Sequence, residues 1–581
     1  MRKAGYEVAV LLGHSDVFGH EMPVDDIRSI ASRLPRREAL LSLAVFGHAL
    51  ARGAFSSPEI QVGLATTARG DGGGEVIASA LREWRRLHGS HCLWFEPRTL
   101  LVALQLLAAP PGEPAVWTEE FRSVAGQDLF ERWLLGINEW ITSEYKLAAG
   151  EDGAPSNLEV ASFQLPGTRA QLTEHPQHLL ARAAVCLFDD PPPELRNRPD
   201  FLDLGQEVER VLGVPLRVLS AVLVAAWCYH YCHQDSVTDL GIPPNLCFRP
   251  FGYLRDSGLT RDEVRAAMAC LGWSLEDLRS DLASKGWPER TGPLWVVSAL
   301  KRPFIRLDDE TWICVYPELI PDFAWSGVHH SLLADWLDRS GRADNDYTTY
   351  RGYAIEDYVV RLLGATVAGA SGVVPRRAWF DRPGDYRHAG DHRPPDATIA
   401  CFEGLAMVEV TTTNLRLDAT MRGDPSAIDR GCRMLASKID QLHARVGDYL
   451  RGDLAFTDHT PLVGDSVCPV LVVADPMPLS PWVGALIEDA ADPTVLAGMS
   501  AVLPFQLLSL HDLEMLAVLA TQGTDLWGEL ATRARDSDAR WVPYSAWRTA
   551  RGLGPPEGGH PFIDAARDRF LGAATEQLGL H

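Results

Sequence analysis

Apolar residues recur at helical spacing over most of this chain and at strand spacing over one short part of it. Ile27 to Leu34 runs up to Pro35, and Leu40, Leu41, Val45, Phe46 and Leu50 mark a second stripe. Val76 to Leu87 and Arg98 to Leu107 continue the theme, so residues 1–149 are expected to form a helical domain. Residues 158–336 also read as mainly helical, with a small strand-rich patch around Leu294 to Tyr316. The period changes at Pro394-Pro395-Asp396-Ala397-Thr398-Ile399, where a proline pair opens a run with β-branched residues. Glu403-Gly404 supplies a turn, and Leu405 to Thr411 follows with Val408 and Val410 alternating against Glu409 and Thr411. A β-hairpin is predicted. Because side chains alternate across a strand, Met407, Glu409 and Thr411 share one face and Ala406, Val408 and Val410 the other.

The flanks of the hairpin complete a mixed domain. Arg351 to Leu363 carries Ile355, Val359, Leu362 and Leu363 at helical spacing, with Glu356 on the edge of that face. Gly372 to Phe380 is expected as a first strand, Ser426 to Leu450 as a helix with Leu435, Ile439, Leu442 and Val446 inward, and Cys468 to Val473 as a closing strand. Beyond it, Trp482 to Arg535 returns to helical periodicity through Leu507, Leu510, Leu513, Leu516 and Leu519, and Phe562 to Leu578 makes a final helix. The expected fold class is multidomain α + α/β, with a mixed-sheet domain at 347–478 between a large, mainly helical N-terminal region and a helical C-terminal segment at 479–581. Loop compositions at Ala148 to Asn157, Asp190 to Pro193 and Asp338 to Asp346 mark the boundaries.

Length and composition narrow the class. A chain of 581 residues is too long for one core, and 46% hydrophobic residues with 17 tryptophans give ample material for burial. No stretch of 18 uncharged apolar residues occurs, so a membrane span is not expected, and Met1 to Glu7 does not read as a leader; the expected location is cytoplasmic. Ten cysteines without framework spacing fit reduced thiols. A formal net charge of −23 argues against coating of nucleic acid by the whole surface, so any such contact must be local.

Candidate chemistry concentrates at the hairpin. Its turn brings Asp396, at the start of one strand, alongside Glu409, at the end of the next, and two hard oxygen ligands so placed suit Mg²⁺ or Mn²⁺. The preceding loop holds Arg376, Arg377, Arg382, Arg387 and Arg393 against Asp381, Asp385 and Asp391, a formal +2, with Trp379, Phe380 and Tyr386 among them. Arg416, Arg422, Arg430 and Arg433 follow Glu409. A phosphate-guiding rim and a solvated loop are both open readings of those arginines. Elsewhere, Gly70 to Gly74 lacks a P-loop lysine and reads as a loop. Cys228, Cys232 and His233 lack a second close ligand pair, so packed aromatic and thiol side chains of a buried helix are expected there instead of zinc. No G-x-S-x-G elbow or H-E-x-x-H motif occurs.

The order helix, three strands, helix, strand, with Asp396 after proline and Glu409 on the following strand, resembles the restriction-endonuclease-like core of the PD-(D/E)XK nuclease superfamily over about residues 350–475. On that resemblance Asp396 is the aspartate after proline, Glu409 the acid of the E-x-K element and Glu356 the glutamate of the preceding helix. Thr411 stands where the family usually has lysine and cannot carry charge. Some members move the lysine to the following helix, which implies Lys438 for that role, with Gln441 one turn on along a similar face. The resemblance implies metal-dependent hydrolysis of phosphodiester bonds, with Mg²⁺ or Mn²⁺ on Asp396, Glu409 and the Val410 carbonyl, and Glu356 as a further ligand through water. It further implies nucleic acid as the partner, DNA more than RNA, met by Arg376, Arg377, Arg393, Arg416 and Arg430, and a homodimer or partner protein. A restriction-like or defence endonuclease follows from the resemblance alone. The alternative, kept open by Thr411, is an inactive nuclease fold serving nucleic-acid binding or protein assembly.

Overall fold

The computed structural model describes residues 10–51, 74–88, 92–93, 95–108, 124–148, 156–158, 174–232, 246–284, 301–342, 345–369, 377–382, 384–388, 393–401, 403–413, 415, 424–458, 466–475, 477, 479–492, 501–536, 540–554, 556 and 558–580. Two compact units emerge, one built from Ser156–Glu207 with Leu332–Phe570, the other from Glu7–Pro155, Val208–Ser331 and Leu571–His581. Residues 158–336 are thus divided between the units, after Glu207 and again after Ser331, whereas 347–478 lies wholly within the first. Among the described residues no single helix is long and apolar enough to cross a membrane.

In the first unit, helix α1 (Pro176–Ala183) is followed by α2 (Asp346–Gly369), whose first turn is capped by Asn345: its Oδ1 accepts the Thr348 N–H at 3.1 Å. Strands β1 (Arg377–Phe380), β2 (Ala397–Ala400) and β3 (Gly404–Thr411) then form an antiparallel meander. The turn between β2 and β3 is closed by the Cys401 N–H donating to the Gly404 carbonyl at 2.8 Å. Helix α3 (Pro425–Arg451) starts where Asp424 Oδ1 accepts the Ala427 N–H at 2.8 Å, with Pro425 in the first turn, and ends at Gly452 in the left-handed region (φ 83°). It carries the chain back so that β4 (Ser466–Val473) lies parallel to β3, with Glu409 opposite Leu471. After α4 (Pro481–Ala490), strand β5 (Gln506–Ser509) adds parallel to β4, and α5 (Leu510–Thr521) and α6 (Leu526–Arg535) complete the segment. The sheet order is β5-β4-β3-β2-β1.

The expected helix, three strands, helix and strand are therefore present in that order. The C-terminal segment differs. Leu507 belongs to a strand, because Gln506–Ser509 is a four-residue run buried throughout, and a run that short has no length over which helical and strand periods diverge.

Both faces of the sheet are covered, which explains why all eight residues of β3 are buried. On one face Leu405 and Met407 pack with Leu442, Val446 and Tyr449 of α3, while Leu471 and Val473 pack with Ile428, Leu435 and Ile439. On the other, Ile399, Ala406, Val408, Val470 and Leu508 meet Leu363 of α2, Leu513 and Leu516 of α5 and Leu530 of α6 around a small apolar gap. Leu435, Ile439, Leu442 and Val446 all turn inward, as their spacing requires.

The second unit is a helical assembly that includes Val24–Arg33, Arg36–Ala49, Pro97–Ala108 and Val124–Ala148, pinned by buried polar contacts: Thr99 Oγ1 donates to Asn138 Oδ1 at 2.7 Å, and Asn138 Nδ2 to the Leu12 carbonyl at 2.9 Å. The strand-rich patch is a small four-stranded sheet in which Phe304–Arg306 pairs with Trp312–Cys314 and is joined by Cys247–Phe248 and Gly272–Trp273. His230 lies against the rings of His48, Phe248 and Phe304 in a buried aromatic cluster, so this part of the helix Leu216–Cys232 packs as core. The side chain of Cys232, and His233 and Gly70 to Gly73, lie outside the described residues.

Gly404 marks where β3 must pass closest to its neighbours. A Cβ there would lie 2.2 Å from the Ser466 carbonyl oxygen and 2.5 Å from the Trp527 ring. Backbone cannot yield as a side chain can, so Gly404→Ala is expected to cost roughly 1–3 kcal/mol, read as a lower unfolding midpoint of the first unit in denaturant. An unchanged midpoint would mean that β3 and β4 are not packed at this separation.

Candidate active site

Strand register places the acidic residues in one row. Ala397 pairs with both Val408 and Phe380, so the next step of each ladder sets Asp396 between Glu409 on β3 and Asp381 just past β1. The Asp381 N–H donates to the Asp396 carbonyl at 3.2 Å, continuing the pairing. Residues opposite each other across antiparallel strands share a face. Three carboxylates therefore stand side by side at one end of the sheet.

Asp396 is only 4% exposed and Glu409 7%. Asp396 Oδ2 accepts the Val410 N–H at 2.7 Å, which fixes the carboxyl group and turns Oδ1 toward Arg393, 3.6 Å from its Nη2. The fourth carboxylate comes from α2. Arg351, near its start, reaches Asp475 just after β4, with Nη2 2.5 Å from Oδ1, and this tie holds α2 against the sheet end. Glu356 lies further along the same helix, with Oε2 3.4 Å from Arg393 Nη2.

Two guanidinium groups sit among these four acids. Arg393 bonds Asp381 through Nε at 2.5 Å and faces Glu356 and Asp396 with Nη2. Arg445 of α3 donates to Glu409. The excess of acid over base raises the cost of ionisation. Burial first, and then the charge of Asp396, push the Glu356 carboxyl up to about 7 against the pull of Arg393. Burial also raises Asp396, opposed by the Val410 N–H and by Arg393 and Arg445. Burial works against the charge on Arg393, but its hydrogen bond to Asp381 and the charges of Glu356 and Asp396 outweigh it and raise its pKa. The residues fit a hard divalent cation, since every acceptor is a carboxylate oxygen and the site already selects positive groups.

The expected residues are distributed unequally. Asp396, Glu409 and Glu356 come together, with Val410 beside them as the donor to Asp396. Thr411 is 7% exposed on the face of Glu409; its Oγ1 accepts the Thr413 N–H at 3.0 Å and its carbonyl accepts the Ala474 N–H at 2.9 Å. Lys438 donates to Gln441 at 3.3 Å along the surface of α3. The cation that meets Glu409 is Arg445, two turns and about 10 Å further along that helix. Arg393, expected to guide nucleic acid, is exposed and paired with the acids. Arg377 is exposed, donates to the Asp458 carbonyl at 2.7 Å and lies over the Trp379 ring. Arg430 is exposed on the first turns of α3, and Arg376 and Arg416 lie outside the described residues.

Sequence reasoning missed Asp381 and Arg445. Asp381 becomes visible only once the register of three strands is fixed. Arg445 stands at heptad spacing from Lys438, the signal by which it could have been found.

Because folding lifts the Glu356 carboxyl from 4.5 to about 7, the folded state favours its protonated form, a stability present below about pH 4.5 and lost as pH rises through 7. In chelator-containing buffer, Glu356→Gln is expected to stabilise the first unit by roughly 1–3 kcal/mol at pH 8 and by nothing at pH 4, read as the difference in unfolding midpoint from wild type. A difference independent of pH would show that folding does not shift the Glu356 carboxyl. Compared with protein-family models, curated proteins and solved structures, the chain matches none.

Proposed function

We propose that the first unit is a metal-dependent nuclease that hydrolyses phosphodiester bonds of nucleic acid, DNA in preference to RNA. The observation that carries this reading is the row Asp381, Asp396 and Glu409 across adjacent strands, faced by Glu356 and two arginines. Asp396 and Glu409, with the Val410 carbonyl, would hold Mg²⁺ or Mn²⁺, which when bound supplies a water of lowered pKa and a counter-charge for the phosphate.

The chain's own residues do the rest. As the water oxygen bonds to phosphorus, the bond from phosphorus to the leaving sugar oxygen breaks; Glu356 takes the proton of the water, and solvent returns one to the leaving oxygen. Arg445 supplies the positive charge that Thr411 cannot, held by Glu409 in reach of the phosphate oxygens. Guanidinium stays protonated at any working pH, so Arg445 stabilises charge and orients groups without acting as a base. Arg377 and Arg430, both exposed, are suited to the flanking phosphates.

A second reading, an inactive nuclease-like module that binds nucleic acid or a protein partner, is favoured by Thr411 and by the engagement of Lys438 with Gln441. Cleavage assays separate the two. With Mg²⁺ or Mn²⁺ and linear or circular DNA, Asp396→Asn and Glu409→Gln are expected to abolish cutting, Arg445→Ala to slow it by roughly 10²-fold, and Lys438→Ala to change it by less than about threefold. Cutting that survives Glu409→Gln would locate the activity elsewhere. Binding of DNA without cutting under every metal condition would give the second reading the field.

A further inference from the structure

A second group of metal-ligating side chains lies in the same unit, apart from the carboxylate row. Helix α1 is preceded by His175 and carries His178 three residues on; α5 carries His511 and, three residues on, Glu514. Residues three apart lie on one face of a helix, so α1 and α5 turn a His-x-x-His pair toward a His-x-x-Glu pair. His178 Nδ1 is 3.0 Å from Glu514 Oε2 and 3.0 Å from His511 Nδ1, and the three ligand atoms lie within 4.8 Å of one another.

Protons alone serve this arrangement badly. If His178 carries hydrogen on Nδ1, one hydrogen faces two acceptors, Glu514 Oε2 and His511 Nδ1. If His511 carries it, the lone pair of His178 faces a carboxylate lone pair at 3.0 Å. A central cation satisfies all three at once. Ligands about 2.0–2.1 Å from a tetrahedral metal stand roughly 3.3 Å apart, close to the spacing here.

The surroundings are those of an oriented ligand set. Tyr358 Oη donates to Glu514 Oε1 at 2.7 Å, and Arg182 donates to both oxygens, at 2.8 and 2.6 Å. Arg182 is itself matched by Glu174, 2.5 Å from Nη1, so its charge does not consume that of Glu514. His560 is not a member, because its Nδ1 accepts the Phe562 N–H at 3.2 Å and Nε2 lies 3.1 Å from Thr366 Oγ1. His175 is exposed, with its ring 5.6 Å from that of His178.

We infer that His178, His511 and Glu514, with His175 beside them, form a binding site for one divalent transition metal of the zinc class, held between α1 and α5. Two imidazoles and one carboxylate suit such an ion and not Mg²⁺, so the site is chemically separate from the carboxylate row.

The test uses the full chain carrying Asp396→Asn and Glu409→Gln, so that metal on the carboxylate row does not enter the count. After chelation and dialysis against buffered Zn²⁺, elemental analysis is expected to find about one zinc per chain, and Co²⁺ in its place to give the intense visible absorption of a four- or five-coordinate site. His511→Ala should remove both signals, and the conservative Tyr358→Phe should weaken zinc binding roughly 10-fold or more through the loss of its bond to Glu514. Circular dichroism of each variant checks that the fold persists; should His511→Ala unfold, Tyr358→Phe and the Co²⁺ spectrum carry the test. A folded chain that takes up no stoichiometric zinc, or Co²⁺ bound with only the faint spectrum of an octahedral aquo ion, would overturn the inference and leave a proton-bridged ion network in its place.

Discussion

Carboxylates packed side by side and away from water cannot all stay ionised unless positive charge lies among them. Much of the first unit can be read as an answer to that constraint at the end of its sheet. The antiparallel register of β1, β2 and β3 forces Asp381, Asp396 and Glu409 into one row, and burial of β3 on both faces removes the water that would otherwise screen them. Arg393 and Arg445 arrive from different elements, one from the segment before β2 and one from α3, and each reaches an acid at opposite ends of the row. The acids still outnumber the bases, and the rise of the Glu356 pKa to about 7 is the residue of that imbalance. On the proposed reading, that imbalance is what a bound cation would relieve.

The cluster around Arg182 treats the same constraint differently. There Glu514 is held well below the usual carboxylate range; burial opposes this, but Arg182 and His178 overcome it. Its donors are side chains with fixed directions: a guanidinium fork, a tyrosine hydroxyl and an imidazole. The row at the sheet end is instead defined by backbone pairing, with Arg393 half-exposed and Arg445 largely buried. On the proposed readings, the first arrangement would suit a rigid set of ligands and a borderline metal, and the second exchangeable hard ions. The two clusters share a unit without sharing a ligand.

What could be read from the sequence follows from which signals are local. The helices Asp346–Gly369 and Pro425–Arg451 and the β2–β3 hairpin carry long periods, a proline pair and a glycine turn, and the residues they bring forward, Glu356, Asp396 and Glu409, were all legible. Asp381 was not, because it follows a four-residue strand and its meaning lies in a register shared with two others. Strand β5 was hidden by leucines whose spacing also suits a helix. The histidine cluster was invisible for a simpler reason: His178 and His511 are 333 residues apart, and only the packing of α1 on α5 joins them.

The displaced cation is the most instructive of these differences. Both Lys438 and Arg445 lie on the same stripe of α3, and helical spacing alone cannot choose between them. What chooses is position along the helix, since Leu435 and Ile439 beside Lys438 pack with Leu471 and Val473 of β4. Arg445 lies between Leu442 and Val446, whose side chains reach Met407 and Leu405, so its turn of the helix is drawn onto the sheet beside Glu409. Lys438 faces Gln441 on the surface. A buried partner for a carboxylate favours guanidinium over ammonium, since the weakly hydrated planar fork loses less on leaving water and can hold a carboxylate while presenting other N–H groups elsewhere. On the proposed reading, moving the cation from strand to helix therefore also changes its kind. An ammonium at the position of Thr411 could gain or lose a proton as the reaction demanded, whereas Arg445 cannot, so proton transfer falls to Glu356, the acid whose environment brings its pKa to about 7.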